Sequence, residues 1–171
     1  MELGESFVGS GPEAAHVNTV LGSRDGPVGH AWATALATPR EGHAAFVTVL
    51  RPGLPVQPFT LFVNKATIAG DQHARMTWGP AQAGVASGVA DAVAAGFITP
   101  ADAGELALIA AVWVDPTAAD AELVFANNRA ATSAAIAAGR EGLPAPEAAA
   151  AERDQAWNPF FRAPGSAGSD R

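Results

Sequence analysis

Leu106 to Val114 reads LALIAAVWV, with no charged, hydroxyl or amide side chain in the run. It is too short to span a bilayer, which takes roughly 18–20 apolar residues. Its length and its branched and aromatic content instead predict a strand covered on both faces. Such a strand needs flanking strands and a helical layer. Leu3 to Val8 reads as a first strand, closed by Gly9-Ser10-Gly11-Pro12, and Ala14 to Leu21 alternates and reads as a second. Ala45 to Leu50 and Thr60 to Ile68 predict two more. The stretch between them, Arg51 to Pro58, holds three prolines and cannot be helical or a central strand.

Helices fill the remaining segments. Pro27 suits the first position of a short helix running over Val28 to Ala37. Asp71 can cap a helix to Trp78, which Gly79-Pro80 interrupts, starting a longer helix from Ala81 to Gly96. Thr99-Pro100-Ala101-Asp102 reads as a short helix start. Ala118 to Gly139 predicts a long helix stopped by Gly139, and Pro144 to Trp157 a second C-terminal one. Several strands joined without long crossovers imply an α+β sandwich of one sheet and one helical layer. Residues 1–162 read as a single domain and residues 163–171 as a disordered tail.

Composition narrows the function classes. With 49% hydrophobic and 16% charged residues the chain is globular rather than disordered. Zero cysteines exclude a disulfide framework and a thiol zinc site, and a reducing, cytoplasmic setting is the expectation. No secretory signal and no membrane span are read from it, so no membrane partner is expected. A net charge of −7 argues against nucleic acid as the partner.

Lys65 is the one lysine among ten basic residues. It lies in Phe62-Val63-Asn64-Lys65-Ala66-Thr67-Ile68, so on a strand Lys65 and Thr67 would leave one face together. His16 and Asn18 form a second pair of this kind. Gln82 falls in the predicted first turn of a helix, where free N–H groups favour anionic or carbonyl groups. An ammonium, an imidazole, a hydroxyl and two amides could thus meet at one end of a sheet. Taken singly, each also suits a merely structural role.

The segments GESFVGSG, EAAHVN, LGSRDGPVGHAWATAL, EGHAAFVTVLRPGLP, TLFVNKATI and WGPAQAGVASGVADAVAAG, taken in order, resemble the formaldehyde-activating enzyme family from about Gly4 to Pro144. The resemblance implies a fold like the second domain of ribosomal protein S5. It also implies a homopentamer with its sites at subunit contacts. The implied reaction condenses formaldehyde with a reduced pterin, tetrahydromethanopterin, to the methylene derivative and water. No tightly bound cofactor and no metal are implied; the pterin is a co-substrate. By the same resemblance His16 is the general acid, and Asn18, Val47, Lys65, Thr67 and Gln82 contact the pterin. Asn18 stands where the family usually has aspartate, Val47 replaces a leucine, and the chain lacks the family's tyrosines. A catalytically weak paralogue that binds or senses a pterin or a C1 adduct is the alternative reading.

Overall fold

The structure, a computed structural model, describes residues 1–158 and 161–164. Alternating burial along Ala15–Ser23 marks a strand with one face in the core, β2, and it pairs antiparallel with β1, Glu2–Val8. After β2 comes helix α1, Pro27–Ala37. The segment expected as one strand at 45–50 is divided into β3, Phe46–Val47, and β4, Val49–Arg51. The chain bends between them at Thr48, whose N–H donates to Thr60 O while its carbonyl accepts from Val56 N. β4 pairs with β5, Leu54–Pro55, in a separate two-stranded ribbon, so the proline-rich stretch stays off the main sheet.

The next strand, β6, covers Phe59–Asn64 and stops short of the expected Ile68. The Asn64 side-chain amide donates to Ala66 O at 2.9 Å and to Gly42 O at 2.7 Å, folding the chain out of the ladder. Helix α2, Gly70–Met76, then runs without a break through a π-helical segment, Thr77–Ala81, into α3, Gln82–Ala94. Gly79-Pro80 therefore interrupts nothing: the wide turn accommodates a residue without an N–H. α3 ends before Gly96, whose φ is +81°. Short α4, Pro100–Ala103, is capped by the Thr99 hydroxyl, which accepts from Asp102 N, and leads into β7, Leu106–Trp113.

The sheet order is β1-β2-β7-β6-β3, so the most apolar run is the central strand, antiparallel to β2 and parallel to β6. The long helix α5, Ala121–Glu141, is capped by Asp120, whose carboxylate accepts from Glu122 N and Leu123 N. It ends at Gly142, φ +92°, and not at Gly139, which lies inside the helix where a Cβ would sit 3.3 Å from the backbone of Leu3 and Gly4. The expected helix over Pro144 to Trp157 shrinks to α6, Pro146–Ala151. Trp157–Asn158 (β8) and Phe161–Arg162 (β9) instead form a small antiparallel ribbon. The tail expected at 163–171 lies, beyond Pro164, outside the described residues.

α3 and α5 pack on one sheet face, over Val17, Phe62, Ala110 and Val112, all fully buried. The valine and phenylalanine side chains among them stabilise by roughly 1.5–3 kcal/mol each when fully buried. His73 is also fully buried and is satisfied on both nitrogens: Nδ1 accepts from Ala69 N and Nε2 donates to Val114 O, each at 3.0 Å. It joins α2 to the end of β7 and takes no part in the site below. An ion pair ties α3 to α5 at the surface, Arg129 donating to both Asp91 oxygens at 2.6 and 2.8 Å. That contact holds the Asp91 carboxyl below its usual range. Its contribution is therefore present at neutral pH and is lost as pH falls through the Asp91 pKa.

The opposite face of the sheet is covered at one end by α1, whose Val28 side chain lies where a Cβ on Gly22 would go. Beyond α1 this face carries His16, Asn18 and Val20 of β2, all half-buried. The architecture is thus α+β, with one helical layer and an open face that presents polar groups. Among the described residues no helix is long and apolar enough to cross a membrane.

Candidate active site

β2 sets the site because its period is two. Ala15, Val17, Thr19 and Leu21 point into the core, so His16 and Asn18 must point the other way. Pairing with β1 places Phe7 opposite His16 and Glu5 opposite Asn18. Phe7 meets the imidazole with ring centroids 5.9 Å apart, and Glu5 Oε1 lies 3.0 Å from His16 Nε2. Glu5 was missed in the sequence, although the alternation through Glu2-Leu3-Gly4-Glu5-Ser6-Phe7 does put Glu5 and Phe7 on one face.

Lys65 and Thr67 are not an alternating strand pair. Lys65 N still donates to Val112 O at 2.8 Å, extending the parallel ladder by one bond, and then the chain turns. That turn lets the exposed Lys65 side chain reach across the sheet, where Nζ donates to Asn18 Oδ1. His16, Asn18, Lys65 and Glu5 therefore form one cluster on the open face. Thr67 follows two residues later, exposed, with its hydroxyl 3.0 Å from His43 Nε2.

Gln82 and Val47 lie elsewhere on the subunit. Gln82 is not in a first helical turn with a free N–H; its N–H bonds back to Gly79 O and Thr77 O through the π-helical segment. Its side chain Oε1 accepts from Val49 N at 2.6 Å. With Val47, Phe46 and Trp78 it lines a hollow of about 360 Å³ in which Trp78 is 50% exposed. Val47 also borders a second hollow, of about 420 Å³, walled by Trp32, Phe59 and Arg24. Neither hollow is lined by His16, Asn18 or Lys65.

The cluster can move a proton and hold a polar ligand. With Nε2 on Glu5, a protonated His16 has its Nδ1 proton left to deliver. Lys65 supplies a flexible ammonium with further donors. Among the described residues no group of three or more His, Cys, Asp or Glu side chains is placed to hold a metal ion.

Comparison with known proteins agrees in one direction. The model of the family described as formaldehyde-activating enzyme (Fae) matches residues 3–161. The chain is 42% identical to the 5,6,7,8-tetrahydromethanopterin hydro-lyase of Methanosarcina barkeri, over 92% of this chain and 89% of that protein. It is 40% identical to the bifunctional enzyme Fae/Hps of Methanococcoides burtonii and 37% identical to that of Archaeoglobus fulgidus. These matches take in 91% and 92% of this chain but only 39% and 40% of those longer proteins. With a family match over nearly its whole length and a relative of similar size at 42% identity, the chain belongs to the formaldehyde-activating enzyme family.

Proposed function

We propose that the chain is a lyase that condenses formaldehyde with a reduced pterin, tetrahydromethanopterin or a related C1 carrier, giving the 5,10-methylene derivative and water. The observation that carries this is the Glu5–His16–Asn18–Lys65 cluster on the open sheet face of a chain so similar to a tetrahydromethanopterin hydro-lyase. Formaldehyde adds to one secondary amine of the carrier to give a hydroxymethyl amine. His16 delivers a proton to the departing hydroxyl, which leaves as water. The second nitrogen closes the ring on the resulting iminium and releases a proton, so the acid can be restored. Holding carrier and aldehyde together supplies much of the remaining gain. The pterin is a co-substrate here and not a resident cofactor. Substrate-contacting roles fall to Asn18, Val47, Lys65, Thr67 and Gln82. The test is formaldehyde consumption with tetrahydromethanopterin, with the uncatalysed rate subtracted. A wild-type rate at background, with tight pterin binding, would leave the binding or sensing paralogue instead. A cytoplasmic setting is part of the same proposal.

The separation of the two halves of the site favours assembly. His16, Asn18 and Lys65 stand on the open face, whereas Gln82 and Val47 line a hollow that does not include them. A second copy that brings its hollow against the open face would complete the site, and a closed ring, a homopentamer, satisfies every subunit in the same way. Light scattering at micromolar concentration should give the mass of five subunits; a one-subunit mass would refute the ring.

Asn18 is the residue to restore. Its Oδ1 already accepts from Lys65, so aspartate at this position would convert an ion–dipole contact into an ion pair at the same place. The carboxylate also keeps a second oxygen free to accept from a carrier N–H, and that bond, with an ionised acceptor in place of an amide, is stronger by about 1–2 kcal/mol. Asn18→Asp should therefore raise kcat/KM with tetrahydromethanopterin by about tenfold. An unchanged value would point to another carrier.

A further inference from the structure

We infer that His43 is a positioning residue that sets the Thr67 hydroxyl as a hydrogen-bond acceptor toward an N–H group of the C1 carrier. The inference rests on the proposed pterin reaction. His43 Nδ1 lies 3.0 Å from Asn64 O. A carbonyl oxygen only accepts, so the ring hydrogen is on Nδ1. In the neutral ring Nε2 is then a bare acceptor. It lies 3.0 Å from Thr67 Oγ1. A hydroxyl has one proton, and Thr67 donates it to His43. Only lone pairs remain on Oγ1, on a residue that is exposed beside Lys65.

The surroundings hold this arrangement from both sides. Asn64 Nδ2 donates to Gly42 O and Ala66 O, and Ile68 N donates to Gly42 O at 3.2 Å. Gly42 has φ +72°, and a Cβ there would lie 2.5 Å from Thr67 Cγ2. The segment carrying His43 is therefore laced to the turn carrying Lys65 and Thr67, and the Thr67 methyl has little room to swing.

The other polar positions have the opposite polarity. Asn18 Oδ1 is engaged by Lys65 and Gln82 Oε1 by Val49 N, so both amides offer N–H groups outward, as Lys65 does. Thr67 is the position among these four set up as an acceptor. A reduced pterin carries an amino group and several ring N–H groups that need one, beside a carbonyl that the donors suit.

The test measures KM for tetrahydromethanopterin and kcat, with melting curves for every variant. Thr67→Val removes the hydroxyl and should raise KM about tenfold with kcat within about threefold. His43→Asn keeps a donor toward Asn64 O but loses the acceptor for Thr67, and should raise KM by a similar factor. His43→Gln places Oε1 near the old Nε2 and should restore KM to within about threefold of wild type. The double variant H43N/T67V should be no worse than T67V alone, because both remove one contact. If H43N leaves KM unchanged while T67V raises it, the inference falls and the pterin site stands. If the two effects multiply, His43 acts on the fold and the inference falls. If T67V changes nothing, or wild type shows no rate above background, the site reading falls and takes the inference with it. Should H43N fail to fold, H43Q decides: a tenfold rise in its KM, in a folded protein, overturns the inference.

Discussion

Replacing His16 with alanine should lower the formaldehyde-dependent rate by about 10²–10⁴-fold, the span expected when a general acid is lost. The geometry gives the reason. Among the cluster residues the imidazole has two ring nitrogens, one held by Glu5 and the other left to give a proton and take it back. Its Nε2 is held by Glu5, and its ring rests against Phe7. Lys65 is occupied by Asn18. The measurement is single-turnover condensation, corrected for the reaction that runs without protein. His16 is only half-buried and lies outside the core, so the variant should keep its melting temperature. A rate within threefold of wild type would remove His16 from the chemistry. A large loss accompanied by a collapsed melting curve would assign it to structure.

Gly88→Val should cost stability more than any single surface change, by about 3 kcal/mol or more. Helices α3 and α5 cross closely through Gly84 and Gly88, one turn apart on α3. A Cβ on Gly84 would lie 2.5 Å from Phe125 O, and one on Gly88 would lie 2.8 Å from Thr132 Cβ and nearer still to Arg129 O. A carbonyl inside a helix cannot rotate aside as a side-chain tip can. The helices must part instead, and fully buried Val85, Val89 and Ala135 lose contacts with them. For a chain of this size, 3 kcal/mol lowers Tm by about 6–12 °C. Thermal unfolding followed by circular dichroism reads it directly, and a shift under 2 °C would refute the close crossing.

The parts of the fold that were legible are those in which one physical signal dominates. β2 alternates because one of its faces is buried, and this alone put His16 and Asn18 on the same side. β7 reads as a strand from its lack of polar residues, but the expected cover on both faces is incomplete: Leu108, Ala110 and Val112 are buried, whereas Ile109, Ala111 and Trp113 on the other face are half-buried. Elsewhere local pattern misled. The alternation of Val63-Asn64-Lys65-Ala66-Thr67-Ile68 continues past the end of β6, and nothing local shows that the Asn64 amide turns the chain. Gly79-Pro80 reads as a break, yet tertiary packing carries the helix through it. The run Pro146-Glu147-Ala148-Ala149-Ala150-Ala151 has strong helix propensity but no partner to extend it to Trp157. Within the site, Lys65 meets Asn18 only through the order of the sheet, a long-range fact. Glu5 was open to the same alternation argument as His16. His43 gave no signal of its own, since a histidine after a glycine in a polar loop has no period to place it.

The π-helical segment at Thr77–Ala81 also keeps time between two rods. His73 in α2 and Ala92 in α3 are both fully buried, though nineteen residues apart, which at 3.6 residues per turn overshoots five turns by about a quarter. The wide turn absorbs about one residue, and the two buried faces come back into phase. Gln82 sits immediately after that correction. Shortening the segment by one residue would give a more regular helix, but everything downstream would swing by about 100°. Gln82 would then point away from Val49, and the glycine seam away from α5. Regularity and aim are thus in conflict here, and the sequence has kept the aim.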